Sequence, residues 1–181
     1  MRRYFDPAAL LLPMAALVSP AHATDYLTVT AAQSLLFPTA KTFAERPLKL
    51  SSEQRDRIKE LAGVRQRTEE QKMWRAEREG AFLGWFIVDE VVGKHEFITY
   101  ATALSPDGRV IGVEVLSYRE THGGQIRDMG WRKHFIGKTL ADPFKLDQDV
   151  PNISGATLSS RNVLDGVKRL LVMHKLYLGH G

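Results

Sequence analysis

The chain has 181 residues, with 25 Lys and Arg against 21 Asp and Glu, and it is 44% hydrophobic and 25% charged. That is the size and composition of one globular domain, richer in aliphatic and aromatic residues than a disordered chain would be. It has no cysteine, which excludes thiol catalysis, thiolate-held zinc or iron–sulfur clusters, c-type haem attachment and a lipoprotein anchor. The formal charge of +4 is modest, and basic and acidic residues are interspersed through 41–78. A nucleic-acid surface would show a one-sign stripe threaded with aromatics, so no nucleic-acid partner is expected.

Residues 1–23 read as a signal peptide. Arg2 and Arg3 give a positive start, Ala8 to Val18 is an uncharged apolar stretch, and Ala21-His22-Ala23 offers small residues where a signal peptidase reads them. The stretch is shorter than the ~20 residues of a membrane helix, and Pro13 weakens a helix further. Cleavage after Ala23 would send Thr24–Gly181 out of the cytoplasm, into a periplasmic or otherwise extracytoplasmic space; an uncleaved interfacial anchor is the alternative.

Residues 24–69 form an N-terminal helical segment. Ala31 to Leu36 has helical spacing and is stopped by Pro38. Ser51 opens a clearer helix, with Gln54 placed for a capping box and Gly63 where a C-terminal cap prefers glycine. From residue 70 to 181 a second unit is expected. Stretches 71–78, 82–92, 95–104 and 109–118 read as strands, separated by short turns at Gly80, Gly93-Lys94 and Ser105 to Gly108. Gaps this short force antiparallel neighbours, because a parallel return needs a crossover of a dozen or more residues. A short helix is expected over Asp128 to Phe135. A long one is expected from about Thr157 to Tyr177, with Val163, Val167, Leu170, Leu171 and His174 on one face. The fold class is α+β: an antiparallel sheet packed against a long C-terminal helix.

Two segments carry most of the chemical information. The first is Ser154-Gly155-Ala156-Thr157, where the last helix starts. The free N–H groups and partial positive charge of a helix start suit a phosphate, with Ser154, Thr157, Ser159 and Ser160 adding hydroxyls. A serine in this place most often just caps its helix, and local physics alone favours that reading. The second is the turn Glu120, Thr121, His122, Gly123, Gly124, Gln125. Paired glycines let backbone approach a flat ligand, or simply make a tight turn with solvated neighbours. Phe135-Ile136-Gly137-Lys138 is weaker: a helix end with a complementary lysine accounts for it.

No histidine pairs at metal-ligand spacing support a metal site. There is no Gly-x-Ser-x-Gly elbow for a serine hydrolase. His174 is expected in the core, and Trp74, Trp85 and Trp131 in the core or a pocket wall.

Taken in order, Glu120-Thr-x-Gly123, Phe135-x-Gly-Lys138 and Ser154-Gly-Ala-Thr157, set among strands over residues 70 to 172, resemble the FMN-binding domain family. That family includes the flavin-carrying C and G subunits of the sodium-pumping quinone reductase and its relatives. The resemblance implies FMN as cofactor, esterified through its phosphate to Thr157 by an extracytoplasmic flavin transferase that takes it from FAD. It further implies that Ser154, Gly155 and Ala156 shape the attachment site, and that Glu120, Thr121, His122, Gly123, Gly124 and Gln125 contact the ring, with Lys138 nearby. The protein would carry electrons between membrane or periplasmic redox partners and have no catalytic residues of its own. Two positions depart from the family pattern: Pro151 stands where an acid is usual, with Asp149 two residues earlier, and His122-Gly123-Gly124 replaces Pro-Gly-Leu-Gly. A non-redox module binding a phosphate or partner, and a flavin reductase with a diffusible substrate, are the competing expectations.

Overall fold

The computed structural model describes residues 26–179; the signal peptide expected over 1–23 lies outside the described residues. The chain enters along the sheet edge, where the Tyr26 N–H donates to the Leu116 carbonyl at 2.9 Å. Thr28 then caps α1 (Val29–Leu36), its Oγ1 accepting the Ala31 N–H. Helix α2 (Ser52–Ala62) has the expected reciprocal capping box between Ser51 and Gln54, and it ends on Gly63 at φ +81°. Between the two helices lie two short strands that the sequence did not announce, β1 (Thr42–Glu45) and β2 (Leu48–Lys49). Four and two residues are too few to display an alternation. They are strands because the edge of β3 offers them partners.

The sheet is completed by β3 (Glu70–Arg78), β4 (Ala81–Val92), β5 (Phe97–Leu104) and β6 (Val110–Tyr118). Its order is β1-β3-β4-β5-β6, with β2 also on β3, and every pairing is antiparallel. After β6 the chain makes a 3₁₀ turn (Gly124–Arg127), one turn of helix α3 (Met129–Arg132), a second 3₁₀ turn (Lys133–Phe135), and a loop that leads to α4 (Thr157–Tyr177). The helix expected over 128–135 is therefore broken into short pieces.

Both faces of the sheet are covered. On one, α2 and α4 close over Ile58, Met73, Ile87, Ile98, Tyr100, Val113, Val163, Leu164, Val167, Leu170 and Leu171. On the other, α1 lies on Ala76, Phe86, Ala101 and Ala103, with Phe37, Phe43 and Trp74 around Phe86. Helix α4 is also held by a buried polar group in the first of these layers. Asp89 accepts from the Tyr100 hydroxyl at 2.6 Å and pairs with Arg169, which also donates to the Arg65 carbonyl at 3.1 Å. His174 is buried as expected. Among the described residues, no helix is long and apolar enough to cross a membrane.

Candidate functional site

Three segments that are far apart in sequence meet at one end of the sheet. Glu120, two residues beyond β6, reaches back to the β4–β5 hairpin, where its Oε1 accepts the N–H groups of His95 (2.5 Å) and Glu96 (2.9 Å). Burial opposes the ionised carboxylate, but the N–H groups of Glu96, His95 and Lys94 outweigh it and hold the pKa below the usual carboxylate value. From the other side, the Asn162 side-chain amide in α4 donates to the Val92 carbonyl at 2.6 Å. Hairpin, turn and helix start are thereby tied together.

Gly123 sits at the centre. Its φ is +88°, and a Cβ there would overlap the Ala156 Cβ and lie 2.6 Å from the Tyr118 hydroxyl. Only glycine satisfies both the backbone conformation and the close approach. The Tyr118 hydroxyl donates to the His122 carbonyl, which fixes the turn. Gly124 has no positive φ and simply opens the 3₁₀ turn. Thr121, His122 and Gln125 lie at or near the surface, and Glu120 is half-buried.

Ser154 does not cap α4. It shares an exposed turn with Gly155 (φ +78°), closed by the Ala156 N–H donating to the Ile153 carbonyl at 2.9 Å. The cap position falls to Ala156, so no side chain accepts from the first turn of α4. The positive end of a 21-residue helix is thus left open, next to the exposed Thr157. Ser159 and Ser160 are buried, and the Ser160 hydroxyl donates back to the Ala156 carbonyl at 3.1 Å. The Ser160 hydroxyl is thus a backbone partner within the helix. Ala156 is buried too; its small side chain serves contact with Gly123.

Lys138 is committed elsewhere. Rather than complementing a helix end, its buried ammonium lies 2.9 Å from Asp149, which also accepts the N–H groups of Phe144 (3.0 Å) and Lys145 (2.7 Å). Burial works against the charge on Asp149, but Lys138 and these N–H groups outweigh it and lower its pKa. Asp149 therefore organises the loop before α4, and none of its partners belongs to the Ser154–Thr157 turn.

One residue at the site was missed in the sequence. The Asn152 side-chain amide donates to the Thr157 hydroxyl at 3.2 Å. The available signal was an amide five residues before the threonine, directly after Pro151. A cleft of about 390 Å³ opens elsewhere, among Pro106–Gly108, Thr139–Ala141 and His174. His174 is 17 residues along α4 from Thr157, about 25 Å at the usual helical rise, so this cleft is remote from the assembled turn.

These features fit a phosphate-bearing planar cofactor. An uncapped helix start lies beside an exposed hydroxyl, and a glycine turn packs directly on the residue before that hydroxyl. Residues 93–172 match the family model of the FMN-binding domain, a stretch that includes every candidate residue from Glu120 to Thr157. Over 111 residues the chain is 31% identical to the G subunit of the ion-translocating oxidoreductase complex of Stutzerimonas stutzeri, covering 55% of this chain and 49% of that protein. The chain thus spans about half the length of that curated relative. Its fold is similar to the crystal structure of NqrC from Shewanella oneidensis, with a TM-score of 0.52, 18% identity, and 75% of this chain and 80% of that one covered.

Proposed function

From the match of residues 93–172 to the family model of the FMN-binding domain, we propose that the protein is an exported electron-transfer flavoprotein carrying FMN on Thr157. The observation that carries this reading is the contact of Gly123 with Ala156, which joins the glycine turn to the exposed threonine at an open helix start. Bound FMN supplies transfer of one or two electrons. The chain's own residues bind and orient it. The first turn of α4 favours the negative charge of a phosphate, worth about 0.3–1 kcal/mol at an exposed helix end. That is too little to retain a ligand against dilution, and it is why an ester bond suits a carrier in a space poor in free flavin.

In the attachment step the Thr157 oxygen forms a bond to the FMN phosphorus of FAD. The bond from that phosphorus to the AMP phosphate oxygen breaks, AMP leaves, and the hydroxyl proton passes to a base of the flavin transferase. Ser154, Gly155 and Ala156 shape the approach, and Thr121 to Gln125 flank the ring. Glu120 holds that turn to the hairpin, and Lys138 braces the loop before α4 through Asp149. Donor and acceptor are membrane or periplasmic redox proteins, in keeping with the relative being part of an ion-translocating complex.

The test is to produce the full-length chain together with a flavin transferase and compare intact masses of wild type and Thr157→Ala. A wild-type gain of FMN minus water, absent from the variant, is the expected result. No gain, with the transferase active on another acceptor, removes covalent attachment. Flavin absorbance in the purified protein then separates non-covalent flavin from a module that binds only phosphate or a partner.

A further inference from the structure

Asn152 stands out because its cost to the fold is visible and its benefit is not. Its Oδ1 is buried with no hydrogen-bond partner, a condition that natural structures rarely tolerate without a purpose. Its Nδ2 makes a single contact, to the Thr157 hydroxyl oxygen at 3.2 Å. The residue is nevertheless held on both sides. Its main-chain N–H donates to Asp147 Oδ1 at 2.9 Å, and the carbonyl of Pro151 just before it accepts the Trp131 indole N–H at 2.7 Å. Trp131 is itself buried, with its ring 5.1 Å from that of Phe135. A rigid loop thus presents one amide to one exposed hydroxyl.

We infer that Asn152 is a positioning residue for modification of Thr157, an inference that rests on the attachment reading above. By donating to the threonine oxygen, the amide selects one side-chain rotamer of an otherwise free surface hydroxyl. It leaves the hydroxyl hydrogen directed away from itself, available to a base on the modifying enzyme. Holding a nucleophile in one orientation acts on the rate of the chemical step. It adds nothing to the docking of the modifying enzyme.

The experiment measures attachment kinetics on apo full-length protein with FAD and a flavin transferase, following intact mass. For Asn152→Ala the expected result is a fall in kcat of roughly 10- to 100-fold, with the KM for the acceptor protein unchanged. The melting temperature should stay equal to or above that of wild type, because the variant removes an unpartnered buried acceptor. Equal kcat, a change confined to KM, or a clear loss of melting temperature would each overturn the inference. Failure of the wild type itself to gain mass would instead overturn the attachment reading, and this inference with it. A second measurement does not depend on the transferase: the Asn152 side-chain amide resonance should move in Thr157→Val and stay in place in Thr157→Ser. An amide indifferent to both substitutions would show that the contact does not exist in solution.

Discussion

Gly123 and Glu120 show how much of the site depends on single atoms. Gly123→Ala adds one methyl group to a backbone at φ +88°, against Ala156 and the Tyr118 hydroxyl. A non-glycine residue in that region costs about 1–3 kcal/mol, and forced overpacking about as much again. Urea unfolding should show a loss of at least about 2 kcal/mol on these figures, accompanied by reduced flavin loading. At Glu120 the pKa is lowered in the fold, so its contribution is present above the unfolded carboxylate value of about 4.3 and is lost as pH falls through the folded value. Acid unfolding monitored by circular dichroism should therefore be shallower for Glu120→Gln, whose neutral amide still accepts from the hairpin. An unchanged acid limb would mean that the carboxylate charge is irrelevant to the turn. The glycine turn and the Ser154–Thr157 segment were both legible as candidates in the sequence. Their mutual contact was not, because Gly123 and Ala156 are brought together only by the sheet and α4.

Among the elements, α4 carries the greatest load, since it bears Thr157 at one end and crosses the sheet with the rest of its length. Asp89 of β4, Tyr100 of β5 and Arg169 of α4 pin it internally. Burial and the nearby Asp89 charge raise the Tyr100 pKa well above its ordinary value, so the phenol remains a donor. Arg169→Met strands a buried carboxylate and should cost about 3–5 kcal/mol. Asp89→Leu with Arg169→Met should cost less than Arg169→Met alone, because no charge is left unpaired. Thermal denaturation of the single and double variants decides this, and a double variant worse than the single would contradict it. His174, near the other end of α4, is a neutral buried histidine. Burial lowers its pKa more than Asp107 and the Pro106 carbonyl raise it. Its contribution is full above the unfolded value of about 6.5 and is lost as pH falls from there towards the folded value. His174→Gln should accordingly flatten the fall in melting temperature as pH drops below about 6.5. The caps of α2 were readable from local chemistry, as the Ser51–Gln54 box and Gly63 show. The start of α4 at Thr157 was read correctly, but its cap was not, because a serine near a helix start looks like a cap. Here Gly155 inserts a left-handed residue that moves the helix start past it.

For the whole molecule, the two covered faces of the sheet leave the β4–β5 hairpin, the turn after β6 and the start of α4 gathered at one end. Export is tested at this scale. Protein recovered from the extracytoplasmic fraction should begin at Thr24 by mass, and a product retaining residues 1–23 would favour the anchor.

The sequence by itself determined the four long strands, their antiparallel order and the caps of α2, and it supplied the candidate residues, because period, turn chemistry and capping are properties of neighbours along the chain. Only the tertiary structure decided the strands β1 and β2, the diversion of Lys138 and Asp149 into a loop brace, and the pairing of Asn152 with Thr157. Each of these depends on a partner supplied by a distant segment or by the detailed path of a loop. No local pattern encodes that path.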